Sequence, residues 1–395
     1  MRFENSILQV VPALEAGGAE RTTLEMTRAI VGAGGRALVA TAGGRLAGEI
    51  EKAGGQVILM PAASKNPLVI VANRARLIRL MRAENVDLVH ARSRAPAWSA
   101  LMAARAAGVP FVATYHGAYD ARTPIKRFYN SAMARADLVI ANSQFTAAAV
   151  RRIYDPGERL VVIARGADLE EFNPDAISRD RIRAIGEKWR LGEESGRLVI
   201  LLPGRLTDWK GHETAIRAAR VLKQEVDTGV FPRFRLIFAG DSQGRRGYAA
   251  SLMRMVSELG LEDVVSAVGH CADMPAAYAV SDIVLSPSTR PEAFGRVAAE
   301  AGAMARVCIA ADHGGARETV EADITGFLVE PGSHAALADA LGRAVLLGGE
   351  GRRAMGARAR ARISARYSTR AMCDATLAAY RSLLERTKSG NGVGA

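Results

Sequence analysis

Short apolar runs alternate with helical patterns along this chain, and the alternation occurs twice. The runs fall at 8–11, 37–40, 57–60, 88–89, 111–114 and 138–141, and again at 198–202, 235–239, 264–268, 283–286 and 307–310. Near-continuous apolarity over four or five residues is what a strand buried on both faces requires. Strands that alternate with helices in this way build parallel, doubly wound α/β sheets. A chain of 395 residues exceeds the roughly 250–300 residues at which a single core stops growing, so two Rossmann-like domains are expected. Their spans read as 1–168 and 197–365. The charged stretch 169–196, which carries Pro174, suits a linker. A terminal helix is expected over 366–388, with Met372, Leu377, Tyr380, Leu383 and Leu384 as its apolar stripe, and 389–395 as a loose tail.

Chemistry-bearing residues concentrate just after two of these runs. Gly204-Arg205-Leu206-Thr207-Asp208-Trp209-Lys210-Gly211 follows the run 198–202 and precedes a helical pattern. Its glycines permit a tight turn at the carboxyl end of a strand, where open α/β sheets place ligands. Arg205 and Lys210 bring a planar fork and a mobile point charge to one place, a pairing suited to a pyrophosphate. Taken alone, the octapeptide fits a surface turn with two solvated cations equally well. Arg290-Pro291-Glu292-Ala293-Phe294-Gly295-Arg296-Val297-Ala298-Ala299-Glu300 follows the run 283–286. A helix beginning near Phe294 or Gly295 would turn free amides toward an anion. Glu292 before that helix and Glu300 inside it offer carboxylates to neighbouring hydroxyls, which is what sugars present. A charged loop followed by a helix with one solvated Glu is the open alternative.

Arg205, Lys210, Glu292, the Phe294-Gly295 turn and Glu300 together resemble the retaining glycosyltransferases of family 4, which have the GT-B fold. The resemblance covers nearly the whole chain. It includes Ala16-Gly17-Gly18-Ala19-Glu20-Arg21, Thr114-Tyr115-His116-Gly117, Arg165-Gly166-Ala167-Asp168 with Phe172-Asn173-Pro174, Gly314-Gly315-Ala316-Arg317-Glu318 and Gly326-Phe327-Leu328-Val329. Ala91-Arg92-Ser93-Arg94-Ala95-Pro96-Ala97-Trp98 adds a local likeness to bacterial lipopolysaccharide-core and other cell-envelope enzymes. The usual glycine-proline pair before the run 307–310 is replaced by Ala305-Arg306, which bears on loop shape and not on chemistry.

The resemblance implies two Rossmann-like domains facing a central cleft, with the terminal helix crossing back onto the first. It implies transfer of a sugar from a nucleotide diphosphate donor to a hydroxyl of a cell-envelope glycan or lipid-linked acceptor. His116, Arg205, Lys210 and Glu292 are the candidate catalytic residues. Gly17, Gly18, Phe294, Gly295, Arg296, Val297 and Glu300 are the candidate substrate-binding residues. Arg205, Lys210 and the amides near Gly295 would stabilise charge on the leaving diphosphate. Glu292 would hold donor-sugar hydroxyls, Glu300 the ribose, and His116 the sugar near its reacting carbon. Retention without an evident nucleophile implies same-face attack. No D-x-D motif stands in a suitable loop, so neither a metal nor a further cofactor is expected. The rival readings are a nucleotide-sugar 2-epimerase of the same fold and a non-catalytic protein bound to a membrane surface.

Local grounds leave some features open. Gly17-Gly18 lacks the G-x-G-x-x-G spacing of a nicotinamide site and fits a tight turn as well as a substrate loop. Glu318, near a helix start, fits a structural role. The basic loop Gly240-Asp241-Ser242-Gln243-Gly244-Arg245-Arg246-Gly247 fits either a nucleotide contact or a solvated turn.

Charge points to a partner. The net charge is +12, and residues 1–190 hold 27 Lys and Arg against 18 Asp and Glu, +9 of that total. The segment 73–82, with Arg74, Arg76, Arg79 and Arg82, reads as a short basic amphipathic stretch suited to anionic lipid or simply to solvent. Aromatics are only 5% and no zinc spacing or basic-aromatic motif occurs, which argues against nucleic acid. No run reaches the roughly 18–20 apolar residues of a membrane span. Three scattered cysteines, Cys271, Cys308 and Cys373, fit a reducing compartment. The expected place of work is the cytoplasmic face of the inner membrane.

Overall fold

The computed structural model describes residues 3–15, 17–192, 196–242 and 244–391. They form two compact units, one of Met1–Arg165 with Thr369–Ala395, the other Gly166–Ser368.

The first unit is built on a seven-stranded parallel sheet. Its strands are β1 (Ser6–Val10), β2 (Arg36–Thr41), β3 (Gln56–Leu59), β4 (Leu88–Ala91), β5 (Phe111–Tyr115), β6 (Leu138–Ala141) and β7 (Leu160–Val162). The order across the sheet is β3-β2-β1-β4-β5-β6-β7. All side chains of β1, β4, β5 and β6 are buried, as expected where helices cover both faces. The helix Thr369–Asn391 belongs to this unit, and Met372, Leu377, Tyr380, Leu383 and Leu384 are buried with Phe3, Ile7, Leu88 and Val112. The helix runs three residues into the stretch expected as a tail, and 392–395 lie outside the described residues.

The second unit repeats the plan with six parallel strands. They are β8 (Leu198–Pro203), β9 (Phe234–Ala239), β10 (Val265–Gly269), β11 (Ile283–Ser286), β12 (Val307–Ala311) and β13 (Gly326–Val329), ordered β10-β9-β8-β11-β12-β13. Strand order reverses between β1 and β4 in the first sheet and between β8 and β11 in the second. Loops leaving the carboxyl ends at such a reversal splay to opposite faces and open a crevice for ligands. In the second unit those two loops are the ones that carry the Arg205–Lys210 and Glu292–Gly295 motifs.

The stretch expected as a linker folds into the second unit as far as it is described; residues 193–195 lie outside the described residues. Ser178 accepts from the Arg181 amide to cap the helix Arg179–Lys188. Phe172, Ile177, Ile185 and Trp189 are buried against β8 and the helix Met274–Val280. Arg181 pairs with Asp273 at 2.7 Å. Its charges and Pro174 favoured a linker, but its apolar residues Phe172, Ile177, Ile185 and Trp189 are part of a core.

Candidate active site

In the second unit the β8 loop is shaped by close backbone approach. A Cβ at Gly240 would sit 1.9 Å from the Gly204 carbonyl oxygen, and one at Gly211 would sit 2.1 Å from that of Pro287. Gly211 also has φ +81°, the left-handed region that glycine adopts without strain. The contact at Gly211 draws the β8 loop against the β11 loop. Leu206 and Thr207 are buried beneath, while Arg205 is exposed.

This approach joins the two motifs. Lys210 Nζ donates to Glu292 Oε1 at 2.8 Å, and both side chains are 13% exposed. The ammonium also stands 4.7 Å from the Trp209 ring centroid, a cation–π distance. Ser288 Oγ donates to the same Glu292 oxygen at 2.5 Å, and His313 Nε2 lies 2.7 Å from the Ser288 carbonyl oxygen. Burial pushes the Glu292 carboxyl up. The Lys210 charge and the hydrogen bonds from Lys210 and Ser288 outweigh it, holding the group below its ordinary range. Glu292 is therefore a buried carboxylate that can only accept hydrogen bonds.

The turn after Glu292 rests on Gly314 and Gly315. A Cβ at Gly314 would meet the Glu292 backbone carbonyl oxygen at 2.4 Å, and one at Gly315 would meet Phe294 Cα at 2.4 Å. The Gly315 amide donates to the Glu292 carbonyl at 2.8 Å. Gly295, at φ +79°, then starts the helix Arg296–Ala303. The side chains of Phe294 and Val297 are buried in the core of the unit, so what they can offer a ligand is backbone. Glu300 is 6% exposed; Arg296 Nε donates to its Oε1 at 2.6 Å and the Tyr278 hydroxyl to its Oε2 at 2.9 Å. Of the second-unit candidates, Lys210 and Glu292 are in contact, Phe294 and Gly295 adjoin them in sequence, and Arg296 and Glu300 form a separate pair one turn inside the helix. Glu318 offers its carbonyl to Arg362 and to the Tyr367 hydroxyl. In the basic loop after β9, Gln243 lies outside the described residues, and a helix begins at Arg246.

In the first unit, Gly17, Gly18 and His116 lie at the carboxyl edge of the sheet; Ala16 is outside the described residues. Arg165 lies along Gly18 and donates to its carbonyl, filling the place where a Cβ at 18 would fall, 2.7 Å from Nη1. Both ring nitrogens of His116 are buried without a hydrogen-bond partner. They line a cavity of about 20 Å3 with Thr22, Arg92, Thr114, Asn142 and Arg165. Burial, then the charges of Arg92 and Arg165, push the imidazole down to about 3, so it is neutral. Arg92 is itself 2% exposed and donates through Nε and Nη2 to Gln9 Oε1 at 2.9 and 2.6 Å.

Ser288, His313 and Tyr278 were not singled out from the sequence, and Arg92 entered only within the segment 91–98. Ser288, His313 and Arg92 each stand just past the carboxyl end of a strand, β11, β12 and β4. Among the described residues no group of three His, Cys, Asp or Glu side chains is disposed to hold a metal ion.

Residues 16–171 match the family model described as Glycosyltransferase Family 4, and 186–362 that described as Glycosyl transferases group 1. A D-inositol 3-phosphate glycosyltransferase from Salinispora tropica is 30% identical over 310 residues, covering 75% of this chain and 63% of that protein. The chain thus spans about three fifths of the length of that relative. A GDP-mannose-dependent alpha-(1-6)-phosphatidylinositol monomannoside mannosyltransferase from Mycolicibacterium smegmatis is 31% identical, covering 74% of this chain and 75% of that protein. Among solved structures, a glycosyltransferase from Rickettsia africae ESF-5 superposes with TM-score 0.89 at 33% identity, covering 96% of this chain and 99% of the other. Anabaena Alr3699/HepE in complex with UDP and glucose gives 0.82 at 26%, covering 95% and 99%.

Proposed function

The chain belongs to the family 4 glycosyltransferases of GT-B fold, and from that premise we propose that it transfers a sugar, with retention, from a nucleotide diphosphate donor to a hydroxyl of a cell-envelope glycan or lipid-linked acceptor. The observation that carries this reading is the Lys210–Glu292 contact at the point where strand order reverses between β8 and β11. One group there suits a diphosphate and its partner suits sugar hydroxyls. Lys210 has three N–H donors and uses one on Glu292, so it can hold the carboxylate and a phosphate oxygen together. As the glycosidic bond breaks, negative charge grows on the diphosphate. Arg205, Lys210 and the amides after Gly295 would stabilise it there without a metal. Glu292 would hold sugar hydroxyls, Glu300 the ribose diol, and neutral His116 the sugar near its reacting carbon. Attack comes from the face the diphosphate leaves, and a diphosphate oxygen takes the acceptor's proton.

The Anabaena relative, crystallised with UDP and glucose, supports a nucleotide-sugar donor. The mycobacterial relative, named for its action on phosphatidylinositol monomannoside, supports a lipid-linked acceptor. No helix among the described residues is long and apolar enough to cross a membrane. Contact with an anionic leaflet would instead use the helix Pro67–Ala83, which exposes Leu68 and Val71 beside Arg74, Arg76, Arg79 and Arg82.

A thermal-shift screen of UDP, GDP and ADP sugars tests the donor site, since a ligand at 100 times its dissociation constant stabilises by about 2.7 kcal/mol. Anomeric analysis of the product then tests retention. A protein that no nucleotide sugar stabilises would defeat the reading. Turnover of the donor alone into its 2-epimer would replace it with the epimerase alternative.

A further inference from the structure

The second unit holds a polar contact that the proposed reaction does not by itself explain. Tyr278, in the helix Met274–Val280, is 0% exposed, and its hydroxyl donates to Glu300 at 2.9 Å. Its ring meets Phe172 edge-on, with centroids 5.9 Å apart and planes at 72°, inside the core shared with Val297, Ala298 and Ala299. A buried phenol needs an acceptor, and this one is held by packing on a short stem with two torsions. The carboxylate's other donor, Arg296, sits four residues before it on a side chain 36% exposed. Glu300 is thus held on one oxygen by a fixed donor and on the other by a longer, partly solvated one.

A carboxylate has about four acceptor positions, and two are occupied here. Recognition of a vicinal diol uses the other two at once, each at about 2.7–2.8 Å from a hydroxyl oxygen. Both can be met only when the plane of the carboxylate is fixed. Tyr278 supplies a fixed reference for that plane.

We propose that Tyr278 is a positioning residue which orients the Glu300 carboxylate toward the ribose diol of the donor, and so sets the preference of the site for ribonucleotides over 2′-deoxyribonucleotides. The proposal rests on the assignment of Glu300 to the ribose. A tyrosine serving the core alone would affect melting and leave that preference untouched.

The test compares dissociation constants of UDP, GDP and their 2′-deoxy counterparts for the wild-type protein, Tyr278→Phe and Glu300→Gln, each first checked for a cooperative melt. Tyr278→Phe keeps the ring and removes only the donor. The wild type should prefer the ribose form by roughly 10-fold or more, because a site built around a hydroxyl rejects the analogue lacking it. Tyr278→Phe should reduce that preference by roughly 5-fold or more and raise the donor KM more than it lowers kcat. Loss of the preference in Glu300→Gln with its full retention in Tyr278→Phe overturns the role of Tyr278 and leaves the ribose assignment standing. Retention in Glu300→Gln overturns the ribose assignment, and binding of neither UDP nor GDP overturns the donor site itself. If Tyr278→Phe does not fold, Phe172→Leu loosens the ring while keeping the hydroxyl; an unchanged preference there overturns the proposal.

Discussion

The Lys210–Glu292 pair should be a structural element as well as a catalytic one, and Lys210→Met separates the two contributions. The substitution keeps most of the side-chain volume and removes the ammonium. It leaves Glu292 buried with Ser288 as its remaining hydrogen-bond donor. Removing one partner of a buried ion pair costs about 3–5 kcal/mol; since both side chains stay 13% exposed, the lower end, about 3 kcal/mol, is expected. At about 2–4 °C per kcal/mol for a unit of roughly 200 residues, the melting transition of the second unit should fall by about 6–12 °C. Glu292→Gln should cost less, because the ammonium retains the Trp209 face and can reach toward water. The double variant should be more stable than the sum of the single effects implies, by about 2 kcal/mol, since it leaves no lone buried charge. Calorimetry on all four proteins measures the cycle. Transfer rates taken below the lowest melting temperature should still show kcat/KM for Lys210→Met reduced roughly 10- to 150-fold. Additivity within about 0.5 kcal/mol would refute the coupling, and unchanged transfer would refute the catalytic assignment.

Three further outcomes are expected. Burial, aided by the charge of nearby cations, depresses His90, His116 (to about 3) and His212 (to about 4), so the unfolded chain takes up protons below its ordinary histidine value near 6.5 while the folded protein does not. Stability is then full above about pH 6.5 and falls as pH drops toward 4, by up to about 4 kcal/mol per pH unit; a melting temperature flat from pH 7 to 5 would contradict this. If cations and helix amides hold the leaving group as proposed, transfer should survive EDTA; activity abolished by chelation and restored by Mg²⁺ or Mn²⁺ would rule that mechanism out. Neutralising Arg74, Arg76, Arg79 and Arg82 together should weaken binding to anionic vesicles by about 1 kcal/mol for each cation that reaches the surface, and a wild-type protein that ignores such vesicles at low salt removes the membrane contact.

Strands buried on both faces read as unbroken apolar runs, so most of the two sheets was legible in the sequence. β7 was not, since three residues after a short turn carry no period. β13 was visible only as a motif. The stretch 169–196, expected as a linker, shows the limit of composition: Ile177, Ile185 and Trp189 are buried, and their spacing is diluted by charge. At the candidate site, glycines flagged the loops correctly because backbone approach needs them. The contact between Lys210 and Glu292, 82 residues apart, depends on Gly211 meeting Pro287, which no local pattern encodes. Tyr278, His313 and Arg92 matter through partners distant in the chain, and local spacing cannot reveal them. Gly17-Gly18 fitted a tight turn or a substrate loop, and the pattern gave no sign that the missing side chain at Gly18 leaves Arg165 room to lie against the backbone.

The first unit is discontinuous in the chain, and that fixes the order in which it can be completed during synthesis. Its seven strands leave the ribosome first. The helix Thr369–Asn391 follows only after the roughly 200 residues of the second unit. At about 5–20 residues per second, the wait is on the order of 10–40 s. Throughout it, Phe3, Ile7, Leu88 and Val112 lack the apolar cover of Met372, Leu377, Tyr380 and Leu384. His90 likewise lacks the Tyr380 hydroxyl, later 2.5 Å away. The nascent first unit therefore keeps that apolar surface uncovered until the second unit has been translated, and a ribosome stalled before residue 369 leaves the sheet half-capped.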